Sequence, residues 1–176
     1  MANVDHKISL ISGIHDLLPN RTGGAVMQKN LETLGDIQYS EEEIKFALEM
    51  QENNGKPKIG IDGKIRPLRE TLESPGGGST DVGDVSFIVP TVGMSAATWV
   101  PGTPAHSWQA VAAGGTSIGI KGMMIAAKTL TETAIELFSN TKIIVEATHE
   151  FQLKRGENFK YKPLLGNRKP ALDYRN

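Results

Sequence analysis

The sequence predicts an α/β fold on three observations. Apolar runs of strand length occur at 7–14, 85–89 and 91–100, residues at helical spacing fill the stretches between and after them, and a glycine-rich turn stands directly ahead of the central runs. At 176 residues the chain suits one ordinary domain with a single core.

Taken in order, Lys7 to Ile14 sets Ile8, Leu10 and Ile14 against Ser9 and Ser12 and reads as a strand closed by the turn Leu18-Pro19-Asn20. Val26, Met27, Asn30, Leu31 and Leu34 share one helical face that stops at Gly35. Ser40 with Glu43 is a capping-box start for a second helix carrying Ile44, Ala47 and Leu48 inward. From Asn53 to Pro75 glycine, proline and lysine dissolve the pattern into a long loop, and a loop of that length more often makes contacts or carries function than lies idle. Val85–Val89 and Thr91–Val100, separated by Pro90, lack strict polar alternation and read as central strands covered on both faces.

Gly115 to Phe138 carries Ile118, Met123, Ile125, Leu130 and Ile135 with little polar surface before Lys128, and reads as a mostly buried helix. Asn140 then caps an amphipathic helix with Ile143, Ile144, Ala147 and Phe151 on its face, ending at Gly156. The tail from Phe159, with Pro163 and Pro170, reads as extended. There is no internal repeat.

Composition excludes several classes. With 19 basic and 20 acidic residues interspersed, the formal charge of −1 leaves no basic face for nucleic acid. No window approaches the roughly 18–20 apolar residues of a membrane span, and the N-terminus has no basic-then-apolar signal, so a cytoplasmic protein without a membrane partner is expected. Zero cysteines remove disulfides and thiolate ligands, leaving His, Asp, Glu or water to hold any metal. A Gly-x-Ser-x-Gly elbow is absent, and the glycines at 76–83 precede a strand-like run instead of following one, which argues against a dinucleotide fingerprint.

The chemistry-bearing stretch is Gly76 to Ser86 together with Pro104-Ala105-His106-Ser107-Trp108. It sets glycine-bounded amides, hydroxyls, carboxylates and one imidazole about a single apolar segment, a usual layout for an anionic or metal-bound ligand. The sequence Gly-Ser-Thr-Asp-Val-Gly-Asp-Val-Ser-Phe at 78–87, Trp-Val-Pro-Gly-Thr-Pro-Ala-His-Ser-Trp-Gln at 99–109 and Ala-Ala-Gly-Gly at 112–115 resembles the C-terminal part of the aminobenzoyl-glutamate utilization protein B-like amidohydrolases. These belong to the metal-dependent aminoacylase and glutamate carboxypeptidase family. The resemblance extends through Leu17 to Thr22 and Lys121 to Met124.

That resemblance implies an amidohydrolase with two adjacent divalent metals, usually zinc, in an α/β catalytic domain interrupted by a lid domain that often mediates dimerisation. His106 matches the last metal ligand, and Gly77, Gly78, Ser79, Thr80 and Asp81 match a loop bordering the substrate pocket. Residues 1–20 match the last lid strand with its return linker, and 21–176 the C-terminal part of a partial, zinc-peptidase-like catalytic domain. The complete enzyme would cleave the amide of an N-acyl amino acid or small peptide, such as an aroyl-glutamate, by a metal-bound hydroxide with a glutamate moving the proton. The family's other ligands and its catalytic glutamate have no counterpart in this sequence. Because a catalytic zinc takes about three protein ligands, the chain alone is expected neither to hold the metal centre nor to turn over substrate. Its expected partner is a complementary N-terminal chain or a second copy of itself, and a non-catalytic interaction or oligomerisation domain is the alternative reading.

Each candidate also has a plain structural explanation. His106 would otherwise be a solvent-touching loop histidine. Asp81 and Asp84, in a glycine-rich turn, ordinarily bond nearby amides. Gly76 to Gly78 serve equally as a flexible turn, with Ser79 and Thr80 capping it. Glu41-Glu42-Glu43 is accounted for by a helix start, which favours carboxylates, and His15, beside Asp16, by an exposed position.

Overall fold

The computed structural model describes residues 4–69, 80–170 and 172. Six helices carry the fold: α1 (Arg21–Leu34), α2 (Glu41–Asn53), α3 (Val82–Ser86), α4 (Trp108–Gly114), α5 (Ser117–Ser139) and α6 (Thr141–Arg155). The expected α/β fold, with central strands under helices and a lid-domain strand at the N-terminus, is overturned, because the described residues contain no strand. A single parallel bridge between Pro19 and Thr91, with Asn20 N donating to Thr91 O at 3.2 Å, is the one trace of β pairing among them.

The physical reason lies in the runs themselves. A short apolar run does not declare its period, and Val85–Val89 splits into the end of α3 and a turn. Ser86, fully buried there, donates to Gly83 O at 2.6 Å and accepts from Leu18 N at 2.9 Å. Gly83 is obligatory, since a Cβ at that position would overlap His15 O. The 91–100 run is extended and does alternate, with Val92, Met94, Ala96, Thr98 and Val100 inward and Gly93, Ser95, Ala97 and Trp99 outward, yet it lies on helices and not in a ladder. The 7–14 run is exposed and held from outside, by Arg168 Nη2 donating to Ile11 O at 2.6 Å and Nη1 to Leu10 O.

The helix expectations fare differently. α1 starts at Asn20, whose Oδ1 accepts from Gly23 N at 2.9 Å while its Nδ2 donates to Ala147 O of α6 at 2.8 Å, and it stops at Gly35 as its residues dictate. Glu150 of α6 closes the same junction, accepting from Arg21 N, Thr22 N and Thr22 Oγ1, all at 2.7 Å. A carboxylate set against the first amides of a helix neutralises its positive end. α2 carries the capping box of Ser40 and Glu43, and α6 starts at Asn140 and stops at Gly156.

The core joins Ala47 and Met50 of α2, Val100, Ala113 of α4 and Ile118 of α5, with Tyr39, Phe46, Ile61 and Ala112 around it. Gln51, also buried, bonds Gly60 through both ends of its amide at 2.9 Å and so ties down the start of the long loop; residues 70–75 of that loop lie outside the described residues. α5 is the axle of the fold, meeting α1, α4 and α6. Its expected burial is only half met: Gly119, Gly122, Thr129 and Thr133 face inward, whereas Ile120, Met123, Leu130 and Phe138 are exposed. At Gly122 a Cβ would overlap Ala97 O, so the 91–100 segment presses directly on the helix backbone. Among the described residues no single helix is long and apolar enough to cross a membrane; α4 and α5 reach that length only as a pair bent by 69°.

Two carboxylates give the fold a pH dependence. Burial pushes the Glu43 carboxyl up, but Lys121, Ser117 and the Ser40 amide outweigh it and bring it from 4.5 down to about 2. Glu150 shows the same contest, with Lys154, the Arg21 amide and Thr22 prevailing over burial to reach about 2. Folded values below the unfolded ones mean that this stabilisation is complete above about pH 4.5 and fades as the pH falls toward about 2. Thermal melts across that window are expected to show Tm falling with acid, and Glu150→Gln to lower Tm at neutral pH while flattening the slope. Ile118, 1% exposed, should cost about 2–5 kcal/mol on truncation to alanine, read from the urea midpoint.

Candidate functional site

The turn from Pro101 to Ser107 sets the geometry of the His106 region. Val100 is buried, Thr103 N donates back to Val100 O at 3.1 Å, and Gly102 turns the chain at φ 84°. Ser107 begins α4, its Oγ accepting from Ala110 N at 3.2 Å and donating to Pro104 O at 2.6 Å. Between these fixed points His106 takes φ 57°, and no other non-glycine residue among those described has a positive φ. An L-residue pays about 1–3 kcal/mol for a left-handed conformation.

The imidazole is exposed and lies on an open hollow of about 570 Å³. Trp99 and Trp108 line it with Ala105, Ser107 and Val111. The tryptophans are 41% and 66% exposed. A second hollow, of about 210 Å³, lies between the starts of α2 and α5 and is lined by Ser40, Glu42, Glu43, Phe46 and Ser117.

The glycine-turn candidates fare unevenly. Gly77, Gly78 and Ser79 lie outside the described residues. Thr80 is exposed and accepts from Val82 N through Oγ1 at 3.3 Å, capping the turn as its plain explanation requires. Asp81 stands exposed at the start of α3 without a side-chain cap bond. Neither lines the His106 hollow.

The remaining candidates have structural roles. Asp84 accepts from Tyr161 Oη at 3.0 Å, a bond that, ahead of burial, raises the tyrosine pKa. His15 is half-buried in an aromatic cluster, 5.0 Å from the Phe87 ring and 5.6 Å from that of Tyr161, with Nε2 3.3 Å from Lys162 O. Glu43 completes the capping box and also accepts from Ser117 Oγ and Lys121 Nζ, both at 2.6 Å.

A metal centre needs several donors converging. Among the described residues no group of three His, Asp or Glu side chains is placed to hold an ion. His106 alone does not fit a zinc site.

Sequence comparison places the resemblance of this chain with the amidohydrolases. The chain is similar to a p-aminobenzoyl-glutamate hydrolase subunit of Escherichia coli (strain K12), 35% identical over 159 residues, which is 77% of this chain and 33% of that protein. This bears out the likeness, read from residues 78–87 and 99–115, to the C-terminal part of such an enzyme. The chain spans about a third of the length of the curated relative it matches. No protein-family model matches the chain, and no solved structure does.

The left-handed backbone at residue 106 makes a direct prediction. Replacing His106 by glycine should leave the fold intact and raise stability by about 1 kcal/mol in urea unfolding, whereas valine there should lower it.

Proposed function

We propose that this chain serves as the C-terminal part of an amidohydrolase that cleaves the amide of an N-acyl amino acid or small peptide of the aroyl-glutamate kind. The 35% identity to a protein named as a p-aminobenzoyl-glutamate hydrolase subunit carries this reading. In it, His106 occupies one metal position of a two-metal centre, and the loop of Gly77, Gly78, Ser79, Thr80 and Asp81 lines the carboxylate end of the substrate. Residues 1–20 return from a lid domain and 21–176 form part of the catalytic domain. The exposed imidazole, held on a braced turn at a hollow, supports the first assignment.

The metal, zinc or another divalent ion, takes its remaining donors from a polypeptide segment corresponding to the part of the relative that this chain does not span. That segment also supplies the general base, so the chain alone is inactive. The compartment assigned is the cytoplasm.

A second reading is favoured by one observation. The exposed apolar face of α5, ending in a Phe138 that is 92% exposed, suits a non-catalytic domain that associates with itself or with another polypeptide.

Elemental analysis and an amide-hydrolysis assay test the proposal together. The chain mixed with a polypeptide matching the other two-thirds of the relative is expected to bind zinc and hydrolyse p-aminobenzoyl-glutamate, the chain alone to do neither, and His106→Ala to lose metal and activity in the mixture. Equal metal in wild type and variant removes His106 from the ligands. A stable metal-free oligomer that gains nothing from the added polypeptide favours the second reading.

A further inference from the structure

We propose that the hollow between Trp99 and Trp108 is the seat of a flat aromatic ring, the acyl end of an aroyl amino acid. The sequence has two tryptophans, and both line this one depression. Tryptophan is the side chain with most to gain from leaving water, and here both are substantially exposed on a concave surface, in contact with Ala105 and Val111 rather than with charge. A volume of about 570 Å³ falls within the range of small-molecule sites and exceeds what one ring fills. Indole faces hold another ring by offset or edge-to-face stacking, worth about 0.5–1.5 kcal/mol beyond the buried area.

The polar groups set the direction of binding. His106 is the one titratable side chain on the lining, so a carbonyl or ring amine has a hydrogen-bonding partner. No lysine or arginine lines the hollow among the described residues, which leaves a carboxylate without a counter-charge there. The ring therefore goes in and the amino-acid carboxylate points out. The braced turn keeps this arrangement fixed: Ser107 is bonded on both sides, and Trp99 belongs to the segment packed on α5 at Gly122. The identity of the ligand as an acylated amino acid rests on the proposed function, whereas affinity for the ring rests on the hollow alone.

Because the two tryptophans are the whole indole complement of the chain, their fluorescence reports on this site. The metal-free chain is titrated with N-benzoylglutamate, benzoate and N-acetylglutamate, with calorimetry as a second readout. Saturable changes are expected with the two aromatic probes and none with the acetyl compound over the same range. Trp108→Ala should weaken benzoyl binding at least about 10-fold and Trp108→Phe should keep most of it. Val111→Asp, an exposed change that places a charge in the hollow, should weaken it likewise if Trp108→Ala fails to fold.

Equal response to acetyl and benzoyl compounds, or unchanged affinity in both Trp108→Ala and Val111→Asp, would overturn the assignment. So would emission that ignores the probes but changes with protein concentration, which would give the hollow to self-association. The titration involves neither metal nor cleavage. Ring binding without metal uptake in the reconstituted mixture defeats the hydrolase reading alone, and metal-dependent hydrolysis without ring binding defeats this one alone.

Discussion

Glu43 is the residue on which the arrangement of the helices turns. Its carboxylate accepts from the Ser40 amide that begins its own helix and, across the interface, from Ser117 and Lys121 of α5. Lys121 continues the chain of bonds to Gln38 O at 2.8 Å. A buried charge is tolerable only when its lone pairs are occupied, and here occupying them requires α2 and α5 to meet at their N-terminal ends. Ala47, Met50, Ala113 and Ile118 come together just behind that junction. Glu150 repeats the device between α1 and α6, with Lys154 at 2.6 Å as the neutralising cation.

What the sequence made legible follows from how local each signal is. Asn20, Gly35, Ser40 with Glu43, Asn140 and Gly156 act on their own neighbours, and the helix limits they imply agree with the structure. The strands failed because pairing is not local: a run such as 91–100 can be extended and alternate in burial yet have no ladder beside it. The expected sheet also leaned on a likeness to proteins about three times as long. The exposed side of α5 escaped notice because composition records how apolar a helix is and not what lies against it.

The site was legible in part for the same reasons. His106 sits where proline, glycine and a serine cap force a tight turn, all of them visible in the sequence. Its left-handed backbone carried no signal, since nothing about histidine requests that conformation. Trp99 and Trp108 stand nine positions apart, and their meeting at one hollow depends on the turn between them. Glu150 was missed as an anchor although its spacing to Lys154 was on view; its partners on α1 are more than 120 residues away in sequence.

The contact between Gly122 and Ala97 O links positions that would otherwise be independent. Trp99 is two residues from that contact, so any side chain introduced at 122 displaces the strip of backbone that carries one wall of the hollow. A screen for altered ligand preference would then recover substitutions on the inner side of a helix that never meets the ligand. Sorting such variants by their distance from the ligand would misassign them as stability mutants.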